Sequence, residues 1–203
     1  MIYFYPNKPI LITIESQTFA EKSEDPDWWA EIKKNGSRLA LRNDPVESSQ
    51  MKSFNGFVFW NRHKDVLSYE PSPSLLDELD SFKIPHGTHI DAELLHQKTK
   101  HIKHQVYVYD IYWYKGEQVF ETLEVRRRMI EDIFGENRKN KHFKLADTFP
   151  GNFKGLYDEV IKEPENEGLV VKSKKGKIQW NLKDCPEVWW QLKVRKPSGS
   201  YKF

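Results

Sequence analysis

Short runs in which apolar and polar positions alternate, many rich in β-branched and aromatic residues, dominate the chain. Residues 10–14, 28–32, 39–42 and 56–60 read as strands in the first third. Strands at 88–95 and 106–114 follow, the second turning at Lys115-Gly116. Two more are expected at 168–172 and 177–181, around Lys175-Gly176, and a last one at 188–194. Helical spacing replaces the alternation in three stretches. Ser72 or Ser74 is placed to cap a helix reaching Phe82, with Leu75, Leu76 and Leu79 on one face. Residues 121–134 carry Leu123, Met129, Ile130 and Ile133 at helical spacing, and residues 153–162 form the third helix. Residues 21–27 read as an acidic, proline-containing connector. Asn35-Gly36 and Asn55-Gly56 have hairpin-turn chemistry, which predicts antiparallel pairing of the strands beside them. Strands interleaved with separate helices, without a regular βαβ alternation, predict an α+β fold of mainly antiparallel sheets with flanking helices.

Length favours one domain spanning residues 1–203, because the polar tail from Lys196 is too short for another. Aromatic residues make up 14% of the chain, enough for a sizeable core despite the polar average. Lys and Arg number 32 against 30 Asp and Glu, so bulk charge gives no argument for nucleic acid. Basic residues do cluster locally: Lys98, Lys100 and Lys103 among histidines; Arg126-Arg127-Arg128; and the stretches 138–144, 172–177 and 193–202. Each cluster alone is solvated surface, whereas several on one face would make a phosphate-tracking groove. No apolar run approaches membrane-spanning length and no basic-then-apolar leader is present, so a cytoplasmic protein without a membrane partner is expected. Cys185 is the only cysteine, which rules out a disulfide framework and leaves no neighbour that would activate it as a nucleophile. His96, His101 and His104 fit no standard metal-ligand spacing.

Lys33 is the residue with the most chemical promise. It ends an aromatic strand and stands just before Asn35-Gly36. A lysine becomes a nucleophile once its ammonium loses a proton, which burial and neighbouring positive charge both favour. Lys172 and Lys193, if they converge on it, would supply that charge and would also hold phosphate oxygens for in-line attack. Alone, each residue has a plainer reading. Lys33 would be an ordinary hairpin-turn lysine, Arg38 and Arg62 ion-pair partners, Glu93 and Glu167 surface carboxylates, and Tyr107 and Tyr109 alternating strand residues. The pairs Trp28-Trp29 and Trp189-Trp190 read as sheet core.

The ordered set of short motifs resembles the covalent nucleotidyltransferases, and among them the ATP-dependent polynucleotide ligases. Lys33-Lys34-Asn35-Gly36-Ser37-Arg38 is similar to their first motif, K-x-D/N/H-G-x-R. Asp91-Ala92-Glu93-Leu94 resembles their D-G-E-L strand, and residues 107–112 followed by Lys115-Gly116 resemble their F-D-I-L-Y segment. Glu167-Gly168-Leu169-Val170-Val171-Lys172 matches their E-G-L-V-V-K motif in full, and Lys193-x-Arg195 resembles the closing K-x-K. Residues 59–65, with Arg62, resemble the strand between the first two motifs, so the likeness runs from about Trp28 to Arg195.

The resemblance implies a nucleotidyltransferase domain of two antiparallel sheets with ATP between them. Lys33 would carry AMP as a phosphoramidate. Glu31 would read the adenine amino group, and Ile32 belongs to the same nucleotide-binding segment. Arg38 and Arg62 would hold the ribose side and the 5′-phosphate of the nucleic acid. Glu93 would bind ribose hydroxyls or organise the metal, Tyr109 would stack on adenine, and Lys172 and Lys193 would contact the α-phosphate. Glu167, with Glu93, would hold Mg²⁺ or Mn²⁺. The implied partner is nicked duplex nucleic acid, DNA ranked narrowly ahead of RNA. Two departures from the pattern pull the other way. Asn35 replaces the usual Asp of the DNA ligases, and the oligonucleotide-binding-fold domain that normally follows the last motif is not in this sequence. Its role would be dispensable, as in some RNA ligases, or supplied by an accessory protein.

Overall fold

Alternation along the strands sorts the chain into two sheets whose apolar faces point outward, away from each other, and whose polar faces meet. The computed structural model describes residues 7–135, 140–180 and 187–197; Cys185 and Arg138 lie outside them. In chain order the elements are β1 (Lys8–Leu11), α1 (Gln17–Glu24), β2 (Trp28–Lys34), β3 (Ser37–Asn43), α2 (Pro45–Gln50), β4 (Phe57–Trp60), α3 (Pro73–Ser81) and β5 (Thr88–Leu95). They continue with β6 (Gln105–Tyr114), β7 (Glu117–Gln118), α4 (Leu123–Phe134), β8 (Phe143–Leu145), β9 (Thr148–Phe149), α5 (Phe153–Val160), β10 (Asn166–Ser173) and β11 (Glu187–Arg195). One sheet has the order β1-β11-β10-β2-β9; the other has β4-β3-β5-β6-β7, with β8 added beside β6. Pairing is antiparallel as expected, except for β1 with β11 and β6 with β8, which run parallel. The fold is α+β.

Each sheet buries its outer face under two helices. Trp28, Ala30, Leu169, Val171, Leu192 and Val194 from β2, β10 and β11 pack with Phe19 of α1 and with Phe153, Tyr157 and Val160 of α5. On the second sheet, Leu39, Leu41, Ile90, Ala92, Val106 and Val108 pack with Leu75 and Leu79 of α3 and with Ile130 and Phe134 of α4. Helix ends follow local chemistry. Ser72 caps α3, accepting from the Leu75 N–H at 3.3 Å, with Pro73 in the first turn where a missing N–H costs nothing. Asp44 caps α2 and Ser16 caps α1, and neither helix was expected from apolar spacing. Residues 21–24 of the supposed connector are the last turn of α1.

Other expectations change for physical reasons. Ile12 and Ile14 lie past the end of β1 but still pack on the first core. Residues 177–180 form no strand; Lys177 makes one isolated bridge to Thr122. Asn55-Gly56 does make a tight turn, with φ of 52° and 85°, bridging Phe54 and Phe57. Asn35-Gly36 does not close a hairpin. β2 and β3 belong to different sheets, so this dipeptide carries the chain from one sheet to the other. Gly36 is required there by proximity, since a Cβ would lie 2.6 Å from the Leu94 carbonyl oxygen and 2.7 Å from the Glu93 Cγ.

The sheets are joined at one end by Arg126. Its guanidinium is fully buried and grips Asp110 of β6 with two hydrogen bonds, 2.7 and 2.8 Å long. A further nitrogen donates to the carbonyls of Glu121 (2.7 Å) and Gly176 (3.0 Å), and the group lies 5.3 Å from the Trp190 ring centre of β11. The expected Arg126-Arg127-Arg128 surface cluster is thereby dissolved. Arg127 pairs with Glu131 and donates to the Ala146 carbonyl, and only Arg128 is exposed, beside Glu124. Trp28, Trp29 and Trp190 are core, but Trp189 is 61% exposed. Replacing Arg126 by Ala leaves Asp110 buried without its ion-pair partner. Unfolding free energy, measured by urea denaturation, is expected to fall by about 3–5 kcal/mol.

Candidate active site

The polar faces of the two sheets enclose a cleft, and strand alternation decides which side chains enter it. On β2, Trp28, Ala30 and Ile32 turn to the outer core, so Trp29, Glu31 and Lys33 turn inward. Ile32 therefore offers the cleft its main chain, not its side chain. On β10, Lys172 stands opposite Trp29, and on β11 Lys193 stands opposite Val170, which pairs with Glu31. On the facing sheet, Arg38 is opposite Glu93, and Glu93 is opposite Tyr107.

Three cleft residues arrive by bulges. The register of β10 against β2 skips from Asn166–Lys34 to Gly168–Lys33, leaving Glu167 as the extra residue. The next position must then be glycine. Gly168 has φ of +146°, and a Cβ on it would lie 2.1 Å from the Val194 carbonyl oxygen. Released from the alternation, Glu167 ion-pairs with the Lys33 ammonium. In β6 the register against β5 skips twice, which makes Tyr109 and Tyr112 the extra residues. The Tyr112 hydroxyl donates to Asp91 at 3.0 Å, and Asp91 in turn takes the Arg38 guanidinium in a two-point ion pair. Burial works against the Arg38 charge, but Asp91 more than offsets it and holds the guanidinium firmly protonated.

The remaining contacts tie the cleft together. Glu31, 1% exposed, accepts from Lys172 Nζ at 2.6 Å and from Trp29 Nε1 at 3.3 Å. Lys172 Nζ lies 5.5 Å from the Tyr109 ring centre, across the cleft. Glu93 accepts from the Gly36 N–H at 3.1 Å, while Lys98 Nζ donates to the Gly36 carbonyl. Burial pushes the Glu93 carboxyl up, Lys33 and Arg38 pull it down, and the nearby Glu167 raises it again. Burial lowers Lys193, and Lys8, Arg195 and Lys33 add to the effect by like charge. Lys33, Arg38, Glu93, Tyr109, Glu167, Lys172, Lys193 and Glu31 are thus brought to one cleft. Arg62 is not among them. It sits in an exposed turn after β4, and its Nε meets only His63, at 3.1 Å, among the described residues.

Sequence reasoning assigned no site role to Asp91 or Tyr112, and read Trp29 as sheet core, which it is, without its N–H on Glu31. Asp91 had a signal, because the two-residue period of β5 puts it on the same face as Glu93. Tyr112 had none, since only a bulge turns it inward. For a divalent ion the donor set fits a sparse site. Glu167 is close enough to Glu93 for its charge to raise the Glu93 carboxyl, and Mg²⁺ is commonly held by one or two carboxylates plus substrate phosphates. Among the described residues no group of three or more His, Cys, Asp or Glu gathers to hold a metal unaided. No helix among them is long and apolar enough to cross a membrane.

Residues 74–193, more than half of the 203-residue chain, match the family described as ATP dependent DNA ligase domain. The chain belongs to that family. The ligase domain match takes in Glu93, Tyr109, Glu167, Lys172 and Lys193, while Lys33 lies before it. None of the curated proteins matches. Similar solved structures include mycobacterial DNA ligase D complexed with ATP and MES, at 14% identity and TM-score 0.58, covering 92% of this chain and 60% of that one. The ATP-dependent ligase of bacteriophage T7, complexed with ATP, is 14% identical with TM-score 0.58, covering 93% of this chain and 68% of that one. Chlorella virus DNA ligase-adenylate is 13% identical with TM-score 0.54, covering 95% and 69%. At these identities the likeness is one of fold, and the ligase domain spans about 60% of the mycobacterial protein.

Replacing Glu93 by Gln keeps an acceptor for the Gly36 N–H but removes a carboxyl whose folded pKa is raised above the ordinary 4.5. Stability from such a group is present below that value and is lost as pH rises through the folded pKa. The variant is therefore expected to gain on the wild type in unfolding free energy as pH rises above the ordinary 4.5, as checked by urea melts at a series of pH values from below to above it.

Proposed function

We propose that this ligase domain joins nucleic acid strands through an AMP adduct on Lys33, with nicked duplex DNA as the substrate. The observation that carries the reading is the Lys33–Glu167 ion pair, set beside Glu93, Arg38, Lys172 and Lys193 in one cleft. The Lys33 ammonium first gives up a proton to solvent, and its nitrogen then attacks the α-phosphorus of ATP. A P–N bond forms, the P–O bond to pyrophosphate breaks, and the amine proton leaves to solvent. The AMP then passes to a 5′-phosphate, freeing Lys33, and a 3′-hydroxyl displaces AMP to form the phosphodiester.

The roles of the other residues are those the resemblance implies, and their shared cleft supports them. Glu31 meets the adenine amino group and the Tyr109 ring offers a stacking face. Lys172 and Lys193 hold the α-phosphate oxygens, and Arg38, fixed by Asp91, holds the ribose side. Glu93 and Glu167 would hold Mg²⁺ or Mn²⁺, which supplies neutralisation of phosphate charge. Arg62, on its exposed turn, is available to the nucleic acid strand. The family match favours DNA, while Asn35 in place of aspartate favours RNA.

Incubation with labelled ATP and Mg²⁺ is expected to yield a covalent adduct mapping to Lys33 by mass spectrometry. Lys33→Ala is expected to lose it entirely, whereas an adduct of undiminished yield in that variant would refute the assignment. Sealing of nicked duplexes that differ only in the sugar of the 3′-hydroxyl strand separates the substrates, since the 2′-hydroxyl is the group to be read. Faster sealing of the deoxyribose nick is expected, and the reverse order would make this an RNA-joining enzyme.

A further inference from the structure

We infer that Glu31, Lys172 and Trp29 couple recognition of the nucleobase to contact with the α-phosphate, so that base choice is exerted in the chemical step. The inference rests on the ATP-dependent reading above and names how that site selects its nucleotide.

The argument starts from a buried carboxylate that has two donors. Glu31 is 1% exposed, and its two oxygens are taken by different groups: Lys172 Nζ at 2.6 Å and Trp29 Nε1 at 3.3 Å. Lys172 is buried as well. A carboxylate removed from water is tolerated only while its hydrogen-bonding positions are filled. Burial already pushes the Glu31 carboxyl up, and Lys172 is the main influence opposing that shift. In the reading proposed above, Lys172 is also one of the ammonium groups that hold the α-phosphate. Moving it to phosphate withdraws the donor from one Glu31 oxygen.

Adenine makes this exchange neutral, because its 6-amino group brings an N–H to the oxygen that Lys172 vacates. Hypoxanthine and guanine present a carbonyl oxygen at that ring position. An acceptor facing a buried carboxylate cannot replace an ammonium, so Lys172 stays on Glu31 and the phosphate goes without it. The wrong base then binds but does not react. Trp29 is the positioning residue. Its indole is held in a buried cluster with Leu123, Val188 and Trp190, so the N–H remains on the other Glu31 oxygen and keeps the carboxylate aimed while its partner changes.

The experiment measures the rate of adduct formation on Lys33 at saturating ATP and at saturating inosine triphosphate, with nucleotide affinities determined separately by calorimetry. The wild type is expected to favour ATP on the order of ten-thousand-fold, as for sites built to pair with a substrate N–H, with most of the difference in the saturated rate. Trp29→Phe keeps the packing but loses the N–H, and should reduce the preference by roughly tenfold. Trp28→Phe, on the outer face of the same strand, should leave it unchanged. Glu31→Gln, which lets Lys172 go without stranding a charge, should bring the two nucleotides within about tenfold. Equal saturated rates in the wild type, or a deficit confined to inosine triphosphate binding, would overturn the exchange while leaving the adduct chemistry standing. Absence of any adduct with either nucleotide from folded protein would overturn both.

Discussion

Two sheets that turn their apolar faces away from each other need something other than a shared core to hold them at a fixed separation. Arg126 supplies much of it. Its guanidinium reaches Asp110 on one sheet, a carbonyl in the turn after β10, and the Trp190 ring on the other sheet. Around it the N-terminal end of α4 is stitched to the same turn, the Leu123 N–H donating to the Gly176 carbonyl at 2.7 Å and the Glu124 N–H to the Lys174 carbonyl at 3.0 Å. Desolvating a guanidinium is costly, and only a full set of good partners offsets it. That requirement gives the joint its fixed geometry. At the other end the chain crosses between sheets at Gly36, where Glu93 and Lys98 take the N–H and the carbonyl of one residue. Between these two joints lies the cleft.

Charge inside the cleft is arranged so that most groups neutralise one another. Lys33 rests on Glu167, Lys172 on Glu31 and Arg38 on Asp91. Each pair joins a residue that the proposed chemistry uses to a partner that keeps it soluble in a low-dielectric interval. In the proposed reaction a nucleotide triphosphate would compete with these internal carboxylates for the same cations. Lys193 differs. It meets mainly other cations, and that crowding favours an incoming phosphate.

Bulges do the aiming. A strand alternates its side chains strictly, so one face of a regular β6 could not present Tyr109 and Tyr112 together with the neighbours they have here. Two extra residues in that strand, and a third at Glu167, break the period at the places where a polar side chain has to leave the core side or reach across. The sequence shows the residue types but not these slips in register. It therefore exposed Lys33, Glu93, Glu167, Lys172 and Lys193 as a set, through motif order, and missed the parts played by Asp91, Tyr112 and Trp29. It also grouped Arg62 with the others, whereas that residue is exposed and its Nε meets His63.

Local patterning was enough to locate β5, β6, α3, α4 and α5 closely, because in each a period of two or of three to four matched a face that was later buried. It also gave the α+β class, which the two sheets and flanking helices bear out. What it did not contain was the partner of each strand. Asn35-Gly36 has the composition of a hairpin turn and would be one if β2 and β3 shared a sheet. Long-range pairing of β2 with β10 and of β3 with β5 sends them apart. The same is true of Arg126, a surface residue by type and a buried joint by position. Short-range preferences act over a few residues, whereas the register between distant strands depends on the summed burial of two outer cores and on satisfying a few buried charges. Only the folded arrangement settles that.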